Sequence, residues 1–338
     1  MEKQTTLKDI AKIVGVSPRT VSSALSGTGR VSEAMRIKIK NVANELNYKP
    51  NLQARGLVQH KSYLIGTVFP YLNVSFFNEI ISGIEEKASE NDYDILLGNA
   101  NLQTKKDGRF AIERMIRRNV DGLICSPDYR EVNLFKELKE KNIPTIQVMT
   151  NIDDLDLPFI GVDNICGGKI ATNHLISLGH EKIGFIGTNR IHYSEIDSRN
   201  SGYLQALIEN GIKLDIDRYT VKADQSIKGG YDATLELLKK APDLTAIFAS
   251  TDYAALGVIR ALLSKGKKIP EEVSVIGFDD LDFASHQFVY QLTTVAQPKR
   301  EIGLLAFDMF LDILAGKRVE NIILKPQLVK RTTTSQKC

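Results

Sequence analysis

From residue 63 onward, short β-branched and apolar runs alternate with amphipathic stretches, and no other feature restricts the fold of this chain as strongly. Strand-like runs lie at 64–69 (LIGTVF), 93–97 (YDILL), 121–125 (DGLIC), 144–148 (PTIQV), 183–187 (IGFIG), 219–222, 245–249 (TAIFA) and 273–277 (VSVIG). Helical stretches fall between them, for example 77–90, 105–118, 131–141, 168–178, 199–210, 227–239 and 253–265. A strand buried on both faces reads as a continuous apolar run, and a parallel return needs a crossover helix. The alternation therefore predicts an α/β body of parallel sheets with helices on both faces. Two successive runs of four such units predict two doubly wound subdomains.

Charge divides the chain a second time. The sequence has 44 basic and 41 acidic side chains, a formal net charge of +3. Residues 1–60 hold ten basic and four acidic side chains, a net of +6, which leaves −3 for the remainder. A basic end on a nearly neutral body points to a nucleic-acid or other polyanion contact at that end. Thr6, followed by Asp9 and by the periodic apolar residues Leu7, Ile10, Ala11 and Val14, marks a helix start resembling a capping box. Gly15 ends that helix, and Ser17 before Pro18 opens a second one through Val21, Ala24 and Leu25. Helix, short glycine-containing turn and helix form a helix-turn-helix signature. A third helix opens at Ser32, with Ala34, Ile37, Val42 and Leu46 expected inward and Arg36, Lys38 and Lys40 outward.

Pro18, Arg19, Thr20, Ser22 and Ser23 form the face of the second helix opposite its core side. These short hydrogen-bonding side chains and one guanidinium suit base edges in a major groove. After Tyr48, the segment 51–57 (NLQARGL) is shorter than the roughly 12 to 15 residues an isolated helix needs, so it is a candidate for folding on binding. Leu57, apolar in a basic linker, either wedges between base steps in the minor groove or packs against the following domain.

The segments TTLKDIAKIVGVSPRTVSSALSG and RVSEAMRIKIKNVANELNYKPNLQARGL resemble the DNA-binding domain and hinge of the LacI/GalR family of bacterial transcription regulators, and the similarity continues to the C-terminus. The resemblance implies a helix-turn-helix domain at 1–50, a hinge at 51–61 and an effector-binding and dimerisation body at 62–338. It further implies a periplasmic-binding-protein-like body with a ligand cleft between subdomains joined by three chain crossings. The N-subdomain is expected at 62–162 and 293–320, the C-subdomain at 163–292 and 321–332. DNA contacts are expected from Thr6, Ser17, Pro18, Arg19, Thr20, Ser22 and Ser23, with Tyr48 and Asn51 on the phosphate backbone and Ala54 and Leu57 in the minor groove. Ser23 stands where many members carry Arg or His, so a bidentate contact to guanine is not available there.

Ligand sites in open α/β sheets lie beyond the carboxyl ends of the strands. That rule selects Phe76 and Phe77 after the first strand, a polar loop leading to Arg199, then Ser250-Thr251-Asp252, and Phe278-Asp279-Asp280. Asp252 also reads as a charge at a helix start, and one of the two phenylalanines as core. By the resemblance, Arg199, Thr251, Asp279 and Gln297 face the effector. A guanidinium with a carboxylate suits the hydroxyl array of a sugar or a related polar metabolite. Met149 and Gln225 occupy effector positions where the family usually has Asp and Trp or Phe, respectively.

Other chemistries find little footing. The three cysteines, Cys125, Cys166 and Cys338, show neither disulfide nor zinc spacing and fit a reducing cytoplasm. No apolar run approaches about 18 residues, so no membrane span is expected. Gly161–Lys169 (GVDNICGGK) resembles a P-loop, but its glycines are misplaced and Ile170 replaces the required Ser or Thr. The five histidines lack catalytic or metal spacing, with His192 alone in an expected cleft loop. Neither a metal nor a cofactor is expected, and an enzyme is not. A solute-binding protein would need a secretion signal where this chain has a basic helical module. A sugar-modifying enzyme would need a carboxylate pair, and Asp279 and Asp280 are adjacent and so point apart. An architectural DNA binder would need no cleft. The expectation is a cytoplasmic, nucleoid-associated homodimeric repressor that binds pseudo-palindromic double-stranded operator DNA and a small effector.

Overall fold

The computed structural model describes residues 5–25, 27, 29–46, 48, 61–70, 75–100, 107–127, 131–188, 194–286 and 290–337. Two units emerge, Met1–Ser62 and Tyr63–Cys338. In the first, α1 (Leu7–Val14), α2 (Pro18–Leu25) and α3 (Glu33–Glu45) enclose a core of Ile10, Val14, Val21, Ala24, Ile39 and Ala43. The Asp9 carboxylate accepts the Thr6 amide and hydroxyl at 2.8 and 2.6 Å, and Gly15 closes α1 at φ 83°. The inward stripe of α3 differs from the expected one. Ile39 and Ala43 are buried, with Met35, Val42 and Leu46 beside them, whereas Ala34 and Ile37 are exposed. A 3.6-residue period counted from Met35 reaches 39, 42, 43 and 46, so the whole stripe is turned toward Ile39. Arg36 is half-buried rather than outward, with its guanidinium directed to the Gly27 carbonyl at 3.5 Å.

The second unit contains two parallel sheets. The first comprises β1 (Leu64–Phe69), β2 (Asp94–Asn99), β3 (Gly122–Cys125), β4 (Thr145–Val148), β5 (Phe159–Val162) and a late strand, β11 (Ile322–Leu324). Their order is β11-β5-β4-β3-β1-β2. The second comprises β6 (Ile183–Thr188), β7 (Thr220–Ala223), β8 (Ala246–Ala249) and β9 (Ser274–Ile276) in the order β7-β6-β8-β9. A ribbon of β10 (Thr294–Ala296) and antiparallel β12 (Gln327–Val329) joins the second sheet through bridges from Thr293 to Ile276 and from Ala296 to Asp279. Helices α4 (Phe76–Glu90), α5 (Asp107–Arg117), α6 (Val132–Glu140) and α11 (Lys299–Leu314) belong with the first sheet. Helices α7 (Asn164–Ser177), α8 (Ser194–Glu209), α9 (Ile227–Lys240) and α10 (Asp252–Ser264) belong with the second.

The expected subdomain limits shift at 293 and 321. Residues 294–296 pair with β12 on the second side, and 322–324 pair with β5 on the first, where the Asp163 amide also donates to the Leu324 carbonyl at 2.9 Å. The chain therefore passes between the halves near Asp163, Pro298 and Pro326. Three helix pairs meet with backbones in contact through glycine. A Cβ at Gly83 of α4 would overlap the Arg300 carbonyl of α11, one at Gly202 of α8 the Ile165 carbonyl of α7, and one at Gly230 of α9 the Ala254 carbonyl of α10.

Candidate functional site

In the first unit, α2 presents Pro18, Arg19 and Ser22 to solvent while Val21 and Ala24 are buried. Ser17 caps the helix: its hydroxyl accepts the Thr20 amide at 3.1 Å and lies 2.9 Å from the Thr20 hydroxyl. Thr20 and Ser23 are half-buried, and Gly29 approaches so closely that a Cβ there would lie 3.3 Å from Ser23. The free rim of α2 thus narrows to Pro18, Arg19 and Ser22, flanked by Thr20 and Ser23. Thr6 is exposed at the start of α1, and half-buried Tyr48 donates its amide to the Ala43 carbonyl at 2.9 Å. Asn51, Ala54 and Leu57, with residues 51–60 of the expected 51–61 hinge, lie outside the described residues, as does His192.

In the second unit, Arg199, Asp279, Gln297, Thr251 and Gln225 converge at the carboxyl ends of the second sheet. Arg199 is 4% exposed; its Nε donates to Asn164 Oδ1 at 2.9 Å and its Nη1 to the Ser250 carbonyl at 2.5 Å. The same Nη1 lies 3.3 Å from Asp279 Oδ1, and the guanidinium stacks 3.8 Å from the Phe278 ring centroid. Asp279 Oδ1 also accepts from Gln297 Nε2 at 2.7 Å. Gln225 spends its amide fully: Nε2 donates to the Gly187 and Ala223 carbonyls, and Oε1 accepts from the Ser250 and Thr251 hydroxyls at 3.0 Å each. Thr251 additionally caps α10 through the Ala254 amide. Gln297 is 5% exposed, and its Oε1 is buried without a hydrogen-bond partner.

Asp279 and Asp280 have φ values of 114° and 50°, a left-handed pair without glycine. Such backbone persists only where surrounding bonds over-determine it. Here the Asp279 amide donates to the Val295 carbonyl and the Leu281 amide to Asp252 Oδ2, while Lys299 Nζ donates to the Asp279 and Asp280 carbonyls at 2.8 Å each. Asp252 is therefore more than a helix-start charge. Fully buried, it accepts from Thr294 Oγ1 at 2.6 Å, and burial first, then the Asp279 charge, pushes its pKa up to about 8. Burial likewise raises Asp279, with Arg199 the main opposing influence. The Asp280 carboxylate turns away to Arg331 at 2.7 Å, so the adjacent acids do point apart.

The first sheet contributes differently. Phe76 and Phe77 stand edge to face at 5.1 Å at the start of α4, Phe77 lies 5.3 Å from Phe69, and both are partly buried against the core. Met149 is 7% exposed in the same core, at φ 66°. A surface cavity of about 480 Å³ lies elsewhere, between β2 and α5, and contains none of these residues. Sequence reasoning passed over Asn164 and Lys299, which with Ser250 hold Arg199 and Asp279. Asn164 sits inside the P-loop look-alike, and Lys299 follows Gln297-Pro298 directly.

Residues 6–51 match the model for bacterial regulatory proteins of the lacI family, and 62–332 match that for periplasmic binding proteins and the sugar-binding domain of the LacI family. The chain belongs to the LacI family. This LacI-family regulator is 32% identical to the transcriptional regulator RegA of Clostridium saccharobutylicum, over 98% of this chain and 99% of RegA. It is 34% identical to the transcriptional repressor CytR of Escherichia coli K12, with 94% and 92% covered. The Lac repressor dimer bound to operator and the anti-inducer ONPF superposes with a TM-score of 0.85 at 27% identity, covering 98% of this chain and 100% of that one. The protein is accordingly a DNA-binding transcription regulator with a helix-turn-helix module and a periplasmic-binding-protein-like body. Among the described residues no helix is long and apolar enough to cross a membrane, and no group of three His, Cys, Asp or Glu is placed to hold a metal ion.

Proposed function

We propose that this regulator is a homodimeric repressor, acting in the bacterial cytoplasm, whose grip on a pseudo-palindromic operator is set by a small polyhydroxylated effector. One observation carries the effector class: the unpartnered Gln297 Oε1, buried beside the Asp279 carboxylate and the Arg199 guanidinium. An unpaired buried acceptor costs about 1–3 kcal/mol, and a ligand hydroxyl donating to it removes that cost. A carboxylate beside it accepts from a second hydroxyl, which favours a sugar or related polyol over an apolar or anionic ligand. Relatives solved with cellobiose and with ribose support the same class. Arg19, Ser22 and the neighbouring Thr20 and Ser23 would read the major groove, with Leu57 at the minor-groove step. The Asp279 and Asp280 carboxylates serve different partners, Gln297 and Arg331, so these two acids do not act as a pair.

A thermal-shift series with ribose, cellobiose, nucleosides and polyols tests the reading, because a ligand at 100 times its Kd adds about 2.7 kcal/mol. A polyhydroxylated compound should raise the melting temperature of the wild type and leave Asp279→Asn unmoved. No response across the series, or an equal response in Asp279→Asn, would overturn the effector class.

A further inference from the structure

We propose that Lys299 and Asn164 are positioning residues that tie the two charged cleft residues of the second half to the first half, each at a passage of the chain between them. The inference deepens the effector-responsive reading above. Lys299 is the first residue of α11, just past the second passage, and is 3% exposed. An ammonium has three donors, and three acceptors surround this one. Two are the Asp279 and Asp280 carbonyls of the second half, and the third is Glu79 Oε1 of α4, in the first half, at 2.8 Å. Glu79 lies one turn into the helix that begins with Phe76 and Phe77. A single buried cation thus joins the strained Asp279-Asp280 turn to the aromatic wall opposite.

Asn164 makes the corresponding link at the first passage. It is 6% exposed, its Nδ2 donates to the Val162 carbonyl at the end of β5, and its Oδ1 receives Arg199 Nε at 2.9 Å. Arg199 and Asp279, 3.3 Å apart, are therefore each held by one side chain with a second bond into the first half. Rotating one half against the other must stretch these bonds, so a ligand that moves Arg199 or Asp279 acts on the relation between the halves.

Backbone hydrogen exchange on the full-length protein tests the link without operator or effector, so its outcome is independent of the effector reading. The amides of Asp279 and Leu281 are hydrogen-bonded and give a measurable baseline. Glu79→Gln, a half-exposed change in the first half, should speed exchange across 279–281 in the second half about tenfold. Lys299→Met should speed both 279–281 and the first turns of α4 by more, and Lys299→Arg should restore most of the protection. Exchange in β8 should stay at the wild-type rate in all three. A Glu79→Gln effect confined to α4, or a uniform rise across both sheets, would overturn the proposal. If Lys299→Met fails to fold, Glu79→Gln decides the matter.

Discussion

The two sheets of the body share an architecture and differ in chemistry at their carboxyl ends. In each, the second strand lies outside the first, the third and fourth follow on the other side, and glycines bring helix pairs into backbone contact. At the carboxyl ends the likeness stops. The second half presents a continuous polar chain from Gln225 through Ser250, Arg199 and Asp279 to Gln297, whereas the first presents Phe76, Phe77 and Met149 against its core. Hydrogen bonds are directional and apolar contact is not. On the proposed effector reading, the second half sets what is recognised, and the first supplies area that tolerates a change of angle.

The largest effect should come from cutting the polar chain. Arg199→Ala leaves Asp279 buried beside Asp252, and removing one partner of a buried pair costs about 3–5 kcal/mol. Phe77→Ala, at the matching place in the first half, removes a partly buried ring and should cost about 2 kcal/mol. Urea denaturation of both variants checks the contrast; equal losses would mean that the halves are not divided as described.

A smaller effect should show what the halves share. Gly83→Ala in the first half and Gly230→Ala in the second both drive a methyl into a facing carbonyl. Overpacking of this kind typically costs about 1–3 kcal/mol. The two sites lie in separate helix pairs, so the double variant should lose the sum of the single losses. A clear departure from that sum, read from urea midpoints, would show that the two helix pairs are coupled.

The legibility of the sequence follows the same division. The strands that alternate with helices, β1 to β4 and β6 to β9, are apolar runs that periodicity detects within a residue or two. Strands β5, β10, β11 and β12 are not, because β5 and β12 follow another strand with no long helix between them and β10 and β11 pair with residues far along the chain. Helix α7 begins at Asn164 rather than 168 for a physical reason. Gly167 and Gly168 look like a loop, yet they sit inside the helix because Phe278 and the Arg199 backbone press against them. Asp279 stands just past β9, where the strand-end rule points, and Arg199 is the sixth residue of α8 rather than its first. Asn164 reaches Arg199 across 35 residues and Lys299 reaches Asp280 and Asp279 across 19 and 20, separations that no local pattern encodes.

The smallest effect concerns pH, and it too belongs to the second half. His174 bonds Thr334 through Nε2 at 3.0 Å, and His180 bonds Thr245, Ser274 and the Ser335 carbonyl, so both fasten the C-terminal segment to this sheet. Burial, then the Lys330 charge, lowers His174 from 6.5 to about 4, and burial lowers His180 as well. The folded state binds these protons less readily than the unfolded chain, so their stabilisation is complete above about 6.5 and fades as pH falls toward 4. Asp252 acts in the opposite sense. Its raised pKa, about 8, makes the folded state hold a proton that an unfolded carboxyl loses near 4, so this contribution is complete below about 4 and is lost progressively as pH rises to about 8. The two influences oppose each other between about 4 and 6.5, and above 6.5 only the Asp252 decline remains. His174→Gln should change the profile below about 6.5 by an amount on the order of 1 kcal/mol and leave the side above it alone, while Asp252→Asn should remove the decline between about 6.5 and 8. A His174→Gln profile that parallels the wild type from pH 4 to 6.5 would remove this histidine from the acid response of the second half.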